Sequence, residues 1–234
     1  MAASVSLATI TSRAQSLADM INDSFVSTTE WTFWINSAAQ DLYDKLTQAD
    51  PERYMNVYQF TSQPNTQSYA LPSDFYKLLR VDAVYGTANL PLFYTLRKFS
   101  LLEEDSYQFP IYNIAGPVYR YRLRGNNLWI TPGPLQATTM NMWYTPVFTQ
   151  LVNQTDTFDG INGWEQYVVL QTAVHALQKE GATDPSFLVA EMEKWEQKIK
   201  ALELERDSSF PEQTIDVMRG PWPWRGMGGN GSGP

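Results

Sequence analysis

His175 is the single histidine of the chain, and there is no cysteine. The absence of thiols removes the cysteine nucleophile, thiolate metal sites and a disulfide framework. One imidazole remains for acid–base work, and it lies inside the apolar run Thr172 to Leu177. A lone histidine in such a run reads as a core or interface residue rather than a base. Carboxylates gather in two places. Glu103, Glu104 and Asp105 are adjacent, a spacing that converges on neither a helix face nor a strand face, so they read as a solvated acidic loop. The stretch Asn153 to Gly160 offers Asp156 and Asp159 as hard oxygen donors. It lacks the 1, 3, 5 carboxylate spacing and the twelfth-position Glu of a calcium loop, and an Asx-rich turn before a helix accounts for it. No Walker-type, Gly-x-Ser-x-Gly or Gly-x-Gly-x-x-Gly spacing precedes the Gly-rich end. No cofactor or metal is expected.

Two other patterns suit binding. Arg120, Arg122 and Arg124 alternate with Tyr119, Tyr121 and Leu123, which puts the guanidinium groups along one strand face. Such a row can meet the acidic surface of an adjacent subunit, discourage edge pairing as a solvated face, or, third, touch DNA phosphates. The segment Ile215 to Arg225 carries Met218, Arg219, Trp222, Trp224 and Arg225, with both Trp set among prolines. Trp and Arg are enriched at binding hot spots, and a Pro-rich strip with two Trp reads as a docking peptide. The alternative is a tail folded back on its own domain.

The elements that position these residues follow from periodicity. At 234 residues, 43% hydrophobic and 14% aromatic, the chain has ample material for a core. The first residues show no signal-peptide pattern, and no apolar run approaches the roughly 20 residues that span a bilayer, so a soluble protein is expected. Net charge is −8, against general nucleic-acid binding. The stretch from Phe75 to Leu135 is nonetheless +3, leaving −11 elsewhere, an asymmetry that suits stacked copies or, equally, a solvated surface of uneven charge.

Residues 5 to 22 predict a short helix. Ser27 with Glu30 marks a capping box, and Trp31, Trp34, Ile35, Ala38, Leu42 and Leu46 form one stripe ending at Asp50-Pro51. Two extended segments around a polar turn follow between Tyr54 and Ala70. Pro72 then bars a helix, and Phe75 to Tyr85 reads as a strand. Leu90 to Leu96 is another, whereas Lys98 to Asn113 is left open. Val118 to Pro132 is a hairpin turning at Gly125-Asn126-Asn127, and Met140 to Pro146 a further strand. Trp164 to Leu177 predicts a buried helix stopped by Gly181. Asp184 and Pro185 start the last helix, with Leu188, Met192, Trp195, Ile199 and Leu202 on one face.

The fold class is therefore α+β. Residues 1–50 and 160–207 form one helical bundle, and residues 51–159 an inserted, mainly antiparallel β module of sandwich or barrel-like form. Residues 208–234 make an extended docking tail with a flexible Gly-rich end.

Asn36-x-Ala-x-x-Asp-Leu, then Tyr69-Ala-Leu-Pro-Ser-Asp-Phe-Tyr-Lys-Leu, then Leu128-Trp-Ile-Thr-Pro-Gly-Pro before the strand of Tyr144, occur in that order. With the closing helices and Arg206-Asp207, this resembles the head-to-tail adaptor (connector) proteins of tailed bacteriophages, especially those related to the tubular tail protein A of short-tailed phages. The resemblance covers most of residues 20 to 210. It implies a structural virion protein with no catalytic residues, forming a ring of about twelve copies under the portal protein and above the tail or nozzle. It further implies a channel for genomic DNA, no membrane partner, and C-terminal tails that reach the portal. Two rival readings remain: a hydrolase acting through Asp156, Asp159 and Glu165, and a carbohydrate-binding tail module using exposed Trp and Tyr.

Overall fold

Ser27 opens the best-defined helix of the structure, a computed structural model that describes residues 4–204 apart from 22–23, 88, 108–111, 114–115, 160–162 and 182–184. The Ser27 hydroxyl accepts the Glu30 N–H at 3.3 Å, and the Glu30 carboxylate accepts the Ser27 N–H at 2.9 Å. This reciprocal box satisfies two of the donors a helix start leaves open. Helix α2 runs Thr28–Ala49 and buries Trp31, Ile35, Ala38, Ala39, Leu42 and Leu46 on one face. Before it, Ser4–Ser6 is a strand, β1, and helix α1 spans Leu7–Leu17, buried through Leu7, Ile10 and Ala14. The expected helix over 5 to 22 is thus shorter at both ends.

The C-terminal helices are α3, Glu165–Glu180, and α4, Ser186–Leu204. Gly181 closes α3 at φ 78°, in the left-handed region where a side chain would be strained. Pro185 precedes α4 and its carbonyl accepts the Val189 N–H at 3.1 Å, so it stands one place before the expected helical position. Asp184 lies outside the described residues. All four helices share one apolar core, in which Leu7 and Ile10 meet Trp31, Ile35, Leu42, Tyr167, Leu170, Leu188 and Ile199.

Between α2 and α3 the chain forms strands β2 (Asn56–Thr61), β3 (Ser68–Ala70), β4 (Phe75–Thr87), β5 (Leu90–Thr95) and β6 (Arg97–Lys98). A 3-10 turn, Leu101–Tyr107, and the short strand β7 (Tyr112–Asn113) occupy the stretch that periodicity left open, and β8 (Gly116–Pro117) follows it. Then come β9 (Arg120–Arg124), β10 (Asn127–Thr131), β11 (Thr139–Pro146) and β12 (Thr157–Asp159). Two four-stranded sheets result, in the orders β2-β11-β4-β5 and β3-β10-β9-β6. Only the β6–β9 pairing among these is parallel. Val81, Ala83, Met140 and Met142 of the first sheet close on Leu128 and Ile130 of the second, with Tyr119 and Leu96 between. The sheets are separate and face each other, so the sandwich form holds and the barrel-like form does not.

The two extended segments expected around the polar turn are β2 and β3, which lie in different sheets, β2 beside β11 and β3 beside β10. The polar stretch before α3 contains β12, which pairs antiparallel with β1 and ties the start of the chain to it. The hairpin turn has two residues, since Arg124 pairs directly with Asn127 and Gly125 sits at φ 56°. A glycine first in the pair is what a type II′ turn requires.

Candidate assembly surfaces and the braces beneath them

The Asn36 and Tyr69 motifs each hold two parts of the chain together. Asn36, half-buried on α2, donates from Nδ2 to the Leu151 carbonyl at 2.8 Å and accepts the Leu151 N–H at 2.7 Å. The same amide donates to the Thr32 carbonyl at 3.0 Å. The side chain thereby acts as a short piece of backbone, fixing the chain that leaves the sandwich against α2. Asp41 accepts the Tyr167 hydroxyl, and Lys45 donates to Tyr167, Asp41 and Glu196 at 2.6, 3.0 and 3.0 Å. Burial alone would lower the Lys45 pKa, but these hydrogen bonds outweigh it and hold the ammonium above its ordinary range. Burial and the Asp41 bond push the Tyr167 phenol up to about 12. One polar knot thus joins α2, α3 and α4.

The Tyr69 to Phe75 motif is the corner where the chain passes from one sheet to the other. Tyr69 in β3 is paired with Leu128 in β10, and Phe75 begins β4. The Tyr69 hydroxyl donates to the Thr66 carbonyl at 2.7 Å, closing the polar turn. Past Pro72, the Asp74 carboxylate accepts the Tyr144 hydroxyl at 3.0 and 3.1 Å. Burial, followed by this neighbour, raises the Tyr144 pKa. Nothing in sequence spacing announces Asp82, which is fully buried on the outward face of the first sheet. Its carboxylate accepts Arg80 Nε at 2.9 Å, Thr95 Oγ1 at 2.8 Å and Trp143 Nε1 at 2.8 Å. Three strands are pinned by one charge that all three donors satisfy.

The arginine row lies on the outward face of the second sheet, as alternation requires. Glu104, expected as part of a solvated loop, instead accepts Arg124 Nη2 at 2.7 Å and lies 3.9 Å from Arg122 Nη1. The Arg124 guanidinium also stands over the Trp129 ring at 4.3 Å from its centroid. Glu103 accepts the Ser100 N–H at 2.8 Å, which caps the 3-10 turn and lowers its pKa. Ion pairing from within the subunit therefore reaches into the row at Arg122 and Arg124, and Arg120, on the same face, acts electrostatically on Glu103.

The remaining candidates are accounted for as follows. His175 stacks on Trp34, with ring centroids 6.3 Å apart. Asp156 accepts the Asn153 and Val152 N–H groups at 2.7 and 2.8 Å, which lowers its pKa and ties its carboxylate to the backbone just before it. Glu165 is paired with Arg13 at 2.9 Å. Asp159 lies in β12, and its backbone pairs with Ser4. Among the described residues no group of His and carboxylates is placed to hold a metal ion. No described helix is long and apolar enough to cross a membrane. Ile215, Met218, Arg219, Trp222, Trp224 and Arg225 lie outside the described residues.

Two surface features stand out. A groove of about 690 Å³ runs between α2 and the chain after β11, lined by Thr28, Thr32, Phe33, Asn36, Gln150 and Val152. Its lining is uncharged, with Phe33 and Val152 exposed at its rim. The second is the first sheet itself, whose edge strands β2 and β5 are exposed along most of their length.

Among the described residues, the side chains of the Asn36 and Tyr69 motifs brace the fold, and the open features are a groove and exposed sheet edges. The model of the SU10 adaptor protein family matches residues 6–218, and the chain belongs to this phage head-to-tail adaptor family. No curated protein matches it. Membership gives a structural role at the head–tail junction of a phage particle.

Proposed function

We propose that the protein forms a closed ring of about twelve copies between the portal and the tail or nozzle, with genomic DNA passing through its centre. The observation that carries this reading is the span of the family match. It takes in both cores and the motif braces, and continues past α4 to Met218. Net charge of −8 suits a channel through which DNA slides without sticking.

In this reading the C-terminal segment docks on the portal through Ile215, Met218, Arg219, Trp222, Trp224 and Arg225. The match ends at Met218, so both Trp fall beyond the part shared with the family. The paired Trp is then the feature by which this chain fits its own portal. Arg120, Arg122 and Arg124 contact an adjacent subunit, with Glu104 holding the row in shape before assembly.

The test is a phage whose adaptor gene stops after Asp207. Filled heads lacking tails, with a folded truncated subunit in the lysate, are the expected result. Normal tailed particles would overturn the docking role of the segment.

A further inference from the structure

The geometry points to a specific interface between copies: strand β5 of one subunit adds to strand β2 of the next, continuing the first sheet around the ring. This rests on the ring reading and names the surface that would build it. The two strands are the outer members of one sheet, in the order β2-β11-β4-β5. Each is six residues long, Asn-Val-Tyr-Gln-Phe-Thr and Leu-Pro-Leu-Phe-Tyr-Thr, and neither holds a charged residue. Soluble proteins guard open edges with charge, above all lysine. Here the open edges instead expose Tyr58 at 40%, Leu92 at 61% and Phe93 at 56%.

The backbone groups of the two edges match. Ser62 N–H donates inward to the Thr138 carbonyl at 2.8 Å, so by alternation Val57, Gln59 and Thr61 turn their N–H and C=O groups outward. Val57 N–H is already taken by the Asn56 side chain at 2.9 Å. On β5, Leu96 N–H donates inward to the Val81 carbonyl at 2.8 Å, so Pro91, Phe93 and Thr95 face outward. Pro91 has no N–H to give. Each edge therefore offers two intact residues. One antiparallel register uses them all, with Gln59 opposite Thr95 and Thr61 opposite Phe93, and Phe60 opposite Tyr94 on the core side. Val57 and Pro91, the positions without a free donor, fall at the two ends of the contact.

The direction of the strands selects a second copy as the partner. Every pairing within this sheet is antiparallel, so β5 runs opposite to β2. A neighbour rotated about an axis parallel to the strands presents β2 antiparallel to β5, and the contact is head-to-tail, the kind that closes rings.

The absence of native cysteine makes a clean test possible. Full-length Thr61→Cys/Phe93→Cys protein, which leaves the Thr95–Asp82 bond in place, is assembled on portal rings of the same phage and oxidised. Directly opposed Cα atoms about 5.5 Å apart are within disulfide reach, so a ladder of covalent multimers is expected. Each single variant alone is expected to give none, and a mixture of the two to give dimers. Rings that assemble without a ladder overturn the interface and leave the ring reading standing. Cross-linking of a single variant to itself overturns the head-to-tail pairing. Failure of the unaltered chain to form any ring overturns the reading on which the interface rests. As a second variant, Phe93→Pro removes an outward N–H, with melting unchanged and ring formation weakened roughly tenfold or more; full assembly by it contradicts the inference.

Discussion

The Asn36 side-chain amide pairs with the Leu151 backbone in both directions, at 2.8 and 2.7 Å, across 115 positions of sequence. Helix α2 is thereby fastened to the chain emerging from the sandwich. A residue that serves as substitute backbone cannot be replaced by one with only a donor or only an acceptor.

Asn36→Ala is expected to leave the Leu151 N–H and C=O without their partners and to lower unfolding free energy by about 1–3 kcal/mol. Asn36→Asp keeps the acceptor but sets a carboxylate oxygen against the Leu151 and Thr32 carbonyl oxygens, so it should also be less stable than the native residue. Urea unfolding of the three proteins measures this. Equal stability of all three would mean that the contact adds nothing.

Asp82 makes a sharper case because it is fully buried. Asp82→Ala strips the Trp143 indole N–H and the Thr95 hydroxyl of their acceptor, at a cost of about 2–4 kcal/mol. The half-exposed Arg80 can turn to solvent and should add little. Unfolding monitored by tryptophan fluorescence would report the loss. A change under about 0.5 kcal/mol, as at an ordinary surface site, would refute the brace.

Glu30 predicts a pH dependence. The hydrogen bond from Lys179, then the bonds from Ser27, lower its pKa from 4.5 to about 2. A carboxyl with a depressed folded-state pKa stabilises the fold above its unfolded pKa. That contribution should be complete above about pH 4.5 and be lost as pH falls toward 2. Melting temperature against pH should therefore fall less steeply across this window in Glu30→Gln than in the native chain. Parallel curves would contradict the assignment.

The arginine row requires neutral substitutions. Reversal to Glu would set like charges against Glu104 within the subunit and mix folding with assembly. Replacing Arg120, Arg122 and Arg124 by Gln should cost about 1 kcal/mol or less in folding for these partly exposed pairs. Ring formation on the portal should nonetheless weaken, as read by mass measurement of the complexes. Unchanged ring formation would remove the row from the interface.

Features governed by near neighbours were legible in the sequence. The Ser27–Glu30 box, the α2 stripe, the Gly181 stop and the alternation around Arg122 each depend on residues a few places apart. What escaped depends on distant partners. Ser4 to Ser6 has no strand signal of its own and becomes one by pairing with residues 157–159. The two extended segments around the polar turn after Thr61 were visible, but not that they go to different sheets, which is set by their distant partners in β11 and β10. Glu104 read as solvated because its partner Arg124 is 20 positions away. Asp82 sits in an apolar strand, and only the fold reveals that Trp143 and Thr95 converge on it. Of the candidate surfaces, the arginine row was visible from alternation. The uncharged edges of β2 and β5 became meaningful only once the sheet order was known.

The central claim is that this chain joins the portal as a ring. Its most direct measurement is the mass of portal rings after incubation with the full-length protein and with protein ending at Asp207. The account predicts a discrete increase equal to one complete ring of subunits for the full chain and none for the truncated one. No increase with the full chain, or the same increase with both, would contradict it.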